Sequence, residues 1–299
     1  MIATEFFYGQ GLGNQLFCYV VSKSLSFDKK MDHVTFGNEF FGSPKWNSFG
    51  LYFINFQHKN NLTPKSNFTI IKEKDKRLYL PHSYHDKNIG CDIRGFDQNI
   101  KDCPEYSLIL GNLQSEKYFY HNKTQIKKWL EIKPEFDSYE FSDDNICIIN
   151  FRGTEYYGNH ELFLNKSYWK NAISKMRKIN FNMKFVVITE DIFLAKILFK
   201  EFDCFHFDIA KDYVSIKNAR YIVLSNSSFA FFPVWTSDII DYIIAPKYWS
   251  RHNVSNGYWG SFQNIYKGWN YLDRKGEIFT YEECLKEIGD NEFLSLNYI

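Results

Sequence analysis

Arg152, Glu155 and Tyr156 follow a near-continuous apolar run, Ile146 to Phe151, and are the first residues whose types point to chemistry. An arginine at a strand end can pair bidentately with a phosphate, although an ordinary surface carries the same residue. Thr189, Glu190 and Asp191 follow a second apolar run, Phe185 to Ile188. They offer acceptors to a nucleobase or ribose, and equally an acidic N-cap to the next helix. Ser225, Asn226, Ser227, Ser228 and Phe229 follow a third run, Tyr221 to Leu224, as a turn rich in hydroxyl and amide groups whose donors suit phosphate oxygens. At the N-terminus Gly9, Gly11, Gly13 and Asn14 interrupt the apolar run that starts at Ile2. Glycines there let backbone approach a ligand closely and aim N–H groups at it from a helix start, though G-x-G also marks plain tight turns. Each pattern alone is weak. Together they occupy the places beyond strand ends where open parallel sheets bind ligands.

The elements that must hold these residues are legible in the apolar spacing. Ile2 to Tyr8 reads as a strand, and Leu16, Phe17, Val20, Val21 and Leu25 recur at helical spacing after the glycine loop. Residues 32 to 105 show little long periodicity and predict short strands and loops. In the second half, Ile146 to Phe151 and Phe185 to Ile188 read as buried strands. Ser167 is placed to cap a helix carrying Trp169, Ala172, Ile173 and Met176 inward, and another helix is expected from about Ile192 to Glu201. Tyr221 to Leu224 and Tyr242 to Ala245 read as two more strands with a helical segment between them. Pro233 places the start of that segment near Phe231. Thr280 and Glu283 fit a capping box. Strands alternating with helices predict an α/β fold with parallel, Rossmann-type sheets.

Composition bounds the partners. With 36 basic and 35 acidic side chains among 299 residues, the charge balance gives no polyanion-wide footprint, and nucleic acid is not an expected partner. A small anion needs only a few placed groups. Aromatic residues make up 19% of the chain, which suits both a crowded core and surfaces that stack on sugar rings. The six cysteines contain no C-x-x-C pair and read as small buried side chains in a reducing compartment. No apolar stretch is long enough for a membrane span and the N-terminus lacks a basic leader, so a cytoplasmic location is expected.

Six segments, in order, resemble the α1,2-fucosyltransferases of the GDP-fucose-dependent superfamily. Gly9 to Tyr19 (G-Q-G-L-G-N-Q-L-F-C-Y) is similar to the family's G-G-L-G-N-Q-M-F-Q-Y, and Gly111 to Phe119 (G-N-L-Q-S-E-K-Y-F) to its G-Y-x-Q-S-E-K-Y-F. Asn150 to Tyr156 (N-F-R-G-T-E-Y) aligns on H-V-R-R-G-D-Y, and Thr189 to Asp191 falls where the family has S-D-D. Ser225 to Phe232 (S-N-S-S-F-A-F-F) resembles S-N-S-S-F-S-W-W, and Ile244 to Trp249 (I-A-P-K-Y-W) resembles I-A-P-K-R-W.

The resemblance implies a GT-B architecture of two Rossmann-like halves facing a cleft. Residues 1–135 would form an acceptor-side domain and residues 136–277 a nucleotide-sugar domain, with the final helix at about 278–299 packing back on the first. It implies an inverting transfer of L-fucose from GDP-fucose to a glycan hydroxyl, with O2 the family's position, and no metal or other cofactor. Arg152 would hold the β-phosphate as GDP leaves. Asn226, Ser227, Ser228 and Phe229 would meet the phosphates, Glu190 and Asp191 the guanine or ribose, and Gly11, Gly13 and Asn14 would line the cleft. Glu155, at the family's aspartate position, would be the base, with His160 and Glu161 behind it. Two departures touch the donor site: Asn150 replaces the motif histidine, and Gly153 replaces its second arginine. They leave room for another nucleotide sugar, or for a silent glycan- or nucleotide-binding protein of the same fold. Acceptor recognition is expected from Trp46, His82, Tyr84, His85, Asp92 and Arg94.

Overall fold

The apolar run at the N-terminus forms β1 (Ile2–Glu5), and the residues after the glycine loop form α1 (Leu12–Asp28). A computed structural model gives the fold and describes residues 1–41, 52–53, 55, 63–73, 77–81, 92–93, 96–254, 257–259 and 264–296. Next come β2 (His33–Phe36), α2 (Asn38–Phe41), β3 (Thr69–Lys72), β4 (Arg77–Pro81), β5 (Asp92–Ile93), α3 (Gln98–Lys101), β6 (Ser107–Leu110) and α4 (Lys123–Trp129). The second half carries β7 (Ile146–Asn150), α5 (Lys166–Ile179), β8 (Lys184–Ile188), α6 (Ile192–Leu198), β9 (Asp203–Phe205), α7 (Ile209–Lys217), β10 (Tyr221–Leu224), α8 (Phe231–Thr236) and β11 (Tyr242–Pro246). The chain closes with β12 (Gly257–Trp259), β13 (Asn270–Leu272), β14 (Ile278–Thr280) and α9 (Tyr281–Leu296).

The strands make two parallel sheets, the α/β class the sequence predicts. The first has the order β2-β1-β6-β3, with every pair parallel. The second has the order β14-β13-β11-β10-β7-β8-β9 and is parallel except for the antiparallel β13–β14 edge. In the second sheet the chain runs outward from β7 through β8 to β9, then returns to β10 on the other side of β7. Strand ends diverge at such a reversal and leave a crevice beyond the carboxyl ends of the strands. The first sheet reverses in the same way at β1, flanked by β2 and β6. A small antiparallel sheet, β12-β4-β5, joins an early strand to a late one.

Between the two sheets lies α1, buried around nearly its whole circumference, as a helix with so few charged residues must be. Phe17 stacks on Phe231 of α8 at 4.6 Å between ring centroids and lies 4.9 Å from Phe232. The segment Gly111 to Phe119 continues this bridge with polar groups. Glu116 is buried and accepts from Trp235 Nε1 at 3.1 Å and from the Lys267 N–H at 2.9 Å. Gln114 donates to Asn14 Oδ1 at 2.8 Å, and Tyr266 Oη donates to the Gln114 carbonyl at 3.3 Å. Burial pushes the Glu116 carboxyl up, and its bonds to Lys267 and Trp235 pull it part of the way back. Glu116→Ala would strand the buried Trp235 donor and the part-buried Lys267 N–H, at roughly 1–3 kcal/mol each. The expected outcome is a loss of about 3 kcal/mol, read as a lower urea midpoint at unchanged slope.

Several local expectations are corrected. Asn165, not Ser167, caps α5, its carboxamide oxygen accepting from the N–H groups of Ser167 and Tyr168. The amide side chain sits one residue before the helix, where it reaches both free donors. The helix expected to reach Glu201 ends at Leu198, and β9, α7, β13 and β14 are elements the spacing did not reveal. Other expectations match. The capping box is present: the Thr280 N–H donates to Glu283 at 2.7 Å and the Glu283 N–H to Thr280 Oγ1 at 3.2 Å. α8 begins at Phe231, with Pro233 in its first turn. Cys18, Cys103, Cys147 and Cys284 are buried free thiols, burial pushing Cys18 and Cys284 up to about 12. Among the described residues no helix is long and apolar enough to cross a membrane.

Candidate functional site

The residues that follow β1, β7, β8 and β10 meet around one cavity of ≈ 440 Å³. From the first sheet come Gly9, Gly11, Leu12, Gly13 and Asn14; from the second come Asn150, Arg152, Glu155, Glu190, Ser227, Ser228 and Phe229. Asp191 and Asn226 do not line it. Of the acceptor-side residues, Trp46, His82, Tyr84, His85 and Arg94 lie outside the described residues, and Asp92 is described only as part of β5.

The anion-favouring end is built from backbone. Gly11 caps α1 without a side-chain bond, and the first turn carries no acid. The leading N–H groups of a seventeen-residue helix are therefore left for a ligand, and the helix dipole adds partial positive charge. A Cβ on Gly11 would meet nothing within 4 Å, as expected for a residue at an open cavity wall. Gly13 differs: a Cβ there would overlap the backbone of Ser228 and Phe229. Its first task is to let α1 and the serine turn touch, which brings both sets of donors to the same space.

Arg152 is the one permanent cation among the described lining residues, set against Glu155, Glu190 and Asp212. It pairs with both Glu155 and Glu190 and lies 5.5 Å from the Tyr156 ring centroid. Burial alone would raise the Glu155 carboxyl, but its hydrogen bond and attraction to Arg152 win and hold it below the usual carboxylate range. The loop that carries these residues is strained. Thr154 has φ +41, costly for a β-branched residue, and is held there by its N–H to Asp191 Oδ2 and its hydroxyl to Glu190 Oε1, both at 2.8 Å.

Gly153 belongs to the same arrangement. A Cβ there would lie 2.5 Å from Asp191 Oδ2 and 2.9 Å from its Cβ. The space that a second arginine would use in the family's pattern is filled by the carboxylate bracing the loop. Asp191 also caps α6 by accepting from the Leu194 N–H at 3.0 Å. Asn150 is buried at the end of β7, where its carboxamide oxygen accepts from Ser225 Oγ at 3.2 Å. Asn226 is buried behind the turn and donates to the carbonyls of Leu162 and Trp249 at 2.8 and 2.7 Å. It holds three loops together at the back of the cavity.

Sequence reasoning missed His206, Ile209 and Asp212, which line the cavity from β9 and α7. Asp212 is 5% exposed and accepts from the Phe207 N–H at 3.1 Å, with its other oxygen 2.7 Å from His206 Nδ1. Burial raises its carboxyl, and the bonds from Phe207 and His206 lower it again. The spacing Ile209, Tyr213, Ile216 was a helical signal that could have placed this wall.

Neither a family model nor a curated protein matches the sequence. Among solved structures the chain is similar to the crystal structure of the glycosyl transferase family 9 from Veillonella parvula DSM 2008. The identity is 9% and the TM-score 0.40, over 82% of this chain and 80% of that chain.

Proposed function

We propose that this chain is an inverting glycosyltransferase that moves L-fucose from GDP-fucose to a hydroxyl of a glycan acceptor without a metal. The observation that carries the reading is the convergence of Arg152, the Ser227–Ser228 turn and the N-terminus of α1 on one cavity where both sheets reverse. A cation, hydroxyl groups and a helix terminus are what a leaving diphosphate needs. The choice of fucose and of a glycan acceptor is supported by the six ordered segments of resemblance.

In this reading the diphosphate takes the place of Glu155 and Glu190 on Arg152. Glu155, released from its pair, regains basicity and accepts the proton of the acceptor hydroxyl. That oxygen forms the new bond to the sugar C1 as the bond from C1 to the phosphate oxygen breaks, and the electron pair leaves with GDP. Attack opposite the leaving group inverts C1. Arg152 stabilises the charge that grows on the β-phosphate.

The test is transfer from GDP-fucose, with the anomeric configuration of the product read by NMR. Glu155→Gln should lower kcat by about 10²-fold or more without weakening GDP binding, since a competitor for Arg152 loses its charge. Transfer at the wild-type rate would remove Glu155 from the role of base. Because Arg152 holds the Glu155 carboxyl down in the free enzyme, it stays ionised below the ordinary glutamate value. The acid limb of kcat/KM, which reports the free enzyme, should therefore fall below that value.

A further inference from the structure

The face of the second sheet turned away from α1 is covered by α5 and α6, side by side. Ile148, Ile188 and Ile222 join the core shared with α1, whereas Ile149 and Val187 pack with Trp169 and Met176 of α5 and Leu194 of α6. The rings of Trp169 and Phe199 meet at 5.5 Å, which makes the two helices neighbours.

Their outward sides are basic. Residues 166–202 hold eight lysine or arginine side chains against three carboxylates, those of Glu190, Asp191 and Glu201. This surplus exceeds the net charge of +1 of the whole chain, so the remainder is net acidic. Lys170, Arg177 and Lys178 on α5 and Lys196 and Lys200 on and just beyond α6 are exposed. None of them takes part in an ion pair among the described residues. Charge alone would describe an ordinary solvated face. Apolar residues on the same face are the second observation. Phe193 and Ile197 stand one turn apart on α6, either side of Lys196. Phe193 is 80% exposed, and Phe181, in the turn that leaves α5, is 88% exposed. Rings so far out of the core gain nothing from burial within the chain.

We infer that the α5–α6 face docks on a membrane surface that contains anionic lipid. Phenylalanine rings on a helix face sink into the boundary between headgroups and acyl chains, while lysine and arginine stay with the lipid phosphates. A nucleic acid duplex would meet the charges but leave Phe193 and Ile197 in water beside them. Docking here also fixes the orientation of the molecule. Glu190, which lines the cavity, precedes Phe193 by three residues, so the cavity rim stands close to the headgroups.

The experiment is co-sedimentation of the full chain with phosphatidylcholine vesicles, with and without phosphatidylglycerol as roughly a third of the lipid, with Tm recorded for each variant. Wild type should sediment with the anionic vesicles only, and salt at roughly 0.5 M should release most of it. Lys196→Glu/Lys200→Glu should weaken binding by roughly tenfold or more, and Phe181→Ser/Phe193→Ser by roughly tenfold, both as folded proteins. Lys72→Glu/Lys101→Glu makes the same change of charge in the half of the chain that holds the first sheet, and should bind within about twofold of wild type. Equal loss in that pair would mean that net charge acts rather than this face, and would overturn the inference. Binding untouched by the phenylalanine pair would mean that the charges meet a polyanion without insertion, and would overturn it as well. So would wild type that stays in solution with anionic vesicles. None of these outcomes bears on the nucleotide-sugar reading.

Discussion

Arg152→Ala is expected to lower kcat for transfer by about 10³-fold while leaving the fold intact. The magnitude follows from charge. Arg152 is the one permanent cation among the described lining residues, and in the proposed transfer the leaving group is an anion whose charge grows in the transition state. Interactions that strengthen only then act on kcat rather than on KM. The fold should survive because the side chain is 27% exposed and its ion-pair partners among the described residues are Glu155 and Glu190, acids at the cavity rim. Removing the arginine also leaves those acids facing the incoming diphosphate, so GDP affinity should fall as well. Arg152→Lys should recover little, since an ammonium cannot reproduce the planar fork on a phosphate. Steady-state kinetics with Tm recorded in parallel checks both halves. A variant that is folded and active within tenfold of wild type would remove Arg152 from the chemistry.

Gly13→Ala is expected to cost about 3 kcal/mol, a drop in Tm on the order of 5 °C for a chain of this length. Helix propensity argues the other way, because alanine within a helix is favoured over glycine by about 1 kcal/mol. Packing decides against it. The new methyl group would overlap the backbone of Ser228 and Phe229, which cannot swing aside as a flexible side chain could. Either α1 or the serine turn must move, and the two donor-bearing surfaces of the cavity separate. Loss of stability and loss of GDP binding should therefore appear together. Gly11→Ala is the matched comparison: its Cβ meets nothing within 4 Å, and its stability should stay within about 1 kcal/mol of wild type. A Gly13→Ala protein as stable as Gly11→Ala would refute the close approach.

The parts of the fold that sequence made visible are those with an apolar signal longer than a few residues. β1, β7, β8, β10 and β11 are buried runs, and the residues just beyond most of them could be named as site residues for that reason. β9 has three residues and begins with Asp203 at the edge of the sheet, so no apolar run announced it. With it went His206 and Asp212. Gly13 was legible as a glycine near a ligand, but its partner turn follows a strand of the other sheet, and spacing along a chain carries no sign of that contact. Gly153 shows the limit of resemblance. Against the family's pattern it looks like a missing cation, whereas the structure shows Asp191 filling the space and bracing Thr154. Asp191 itself had two open readings, nucleoside contact and helix cap, and the geometry displays the cap. The segment Gly111 to Phe119, striking only as a motif, turns out to be a buried polar strut between the sheets.

The most direct test of the central claim is a thermal-shift panel of GDP, UDP, ADP and CMP with their sugars, run on wild type and Arg152→Ala. A ligand at a hundred times its Kd stabilises by roughly 2.7 kcal/mol, which for a chain of this length is on the order of 4 °C. The account predicts such a shift with GDP and GDP-fucose, little with the others, and a much smaller shift in the variant. A preference for UDP would contradict the assignment of fucose, and no response to any nucleotide would contradict the transferase itself.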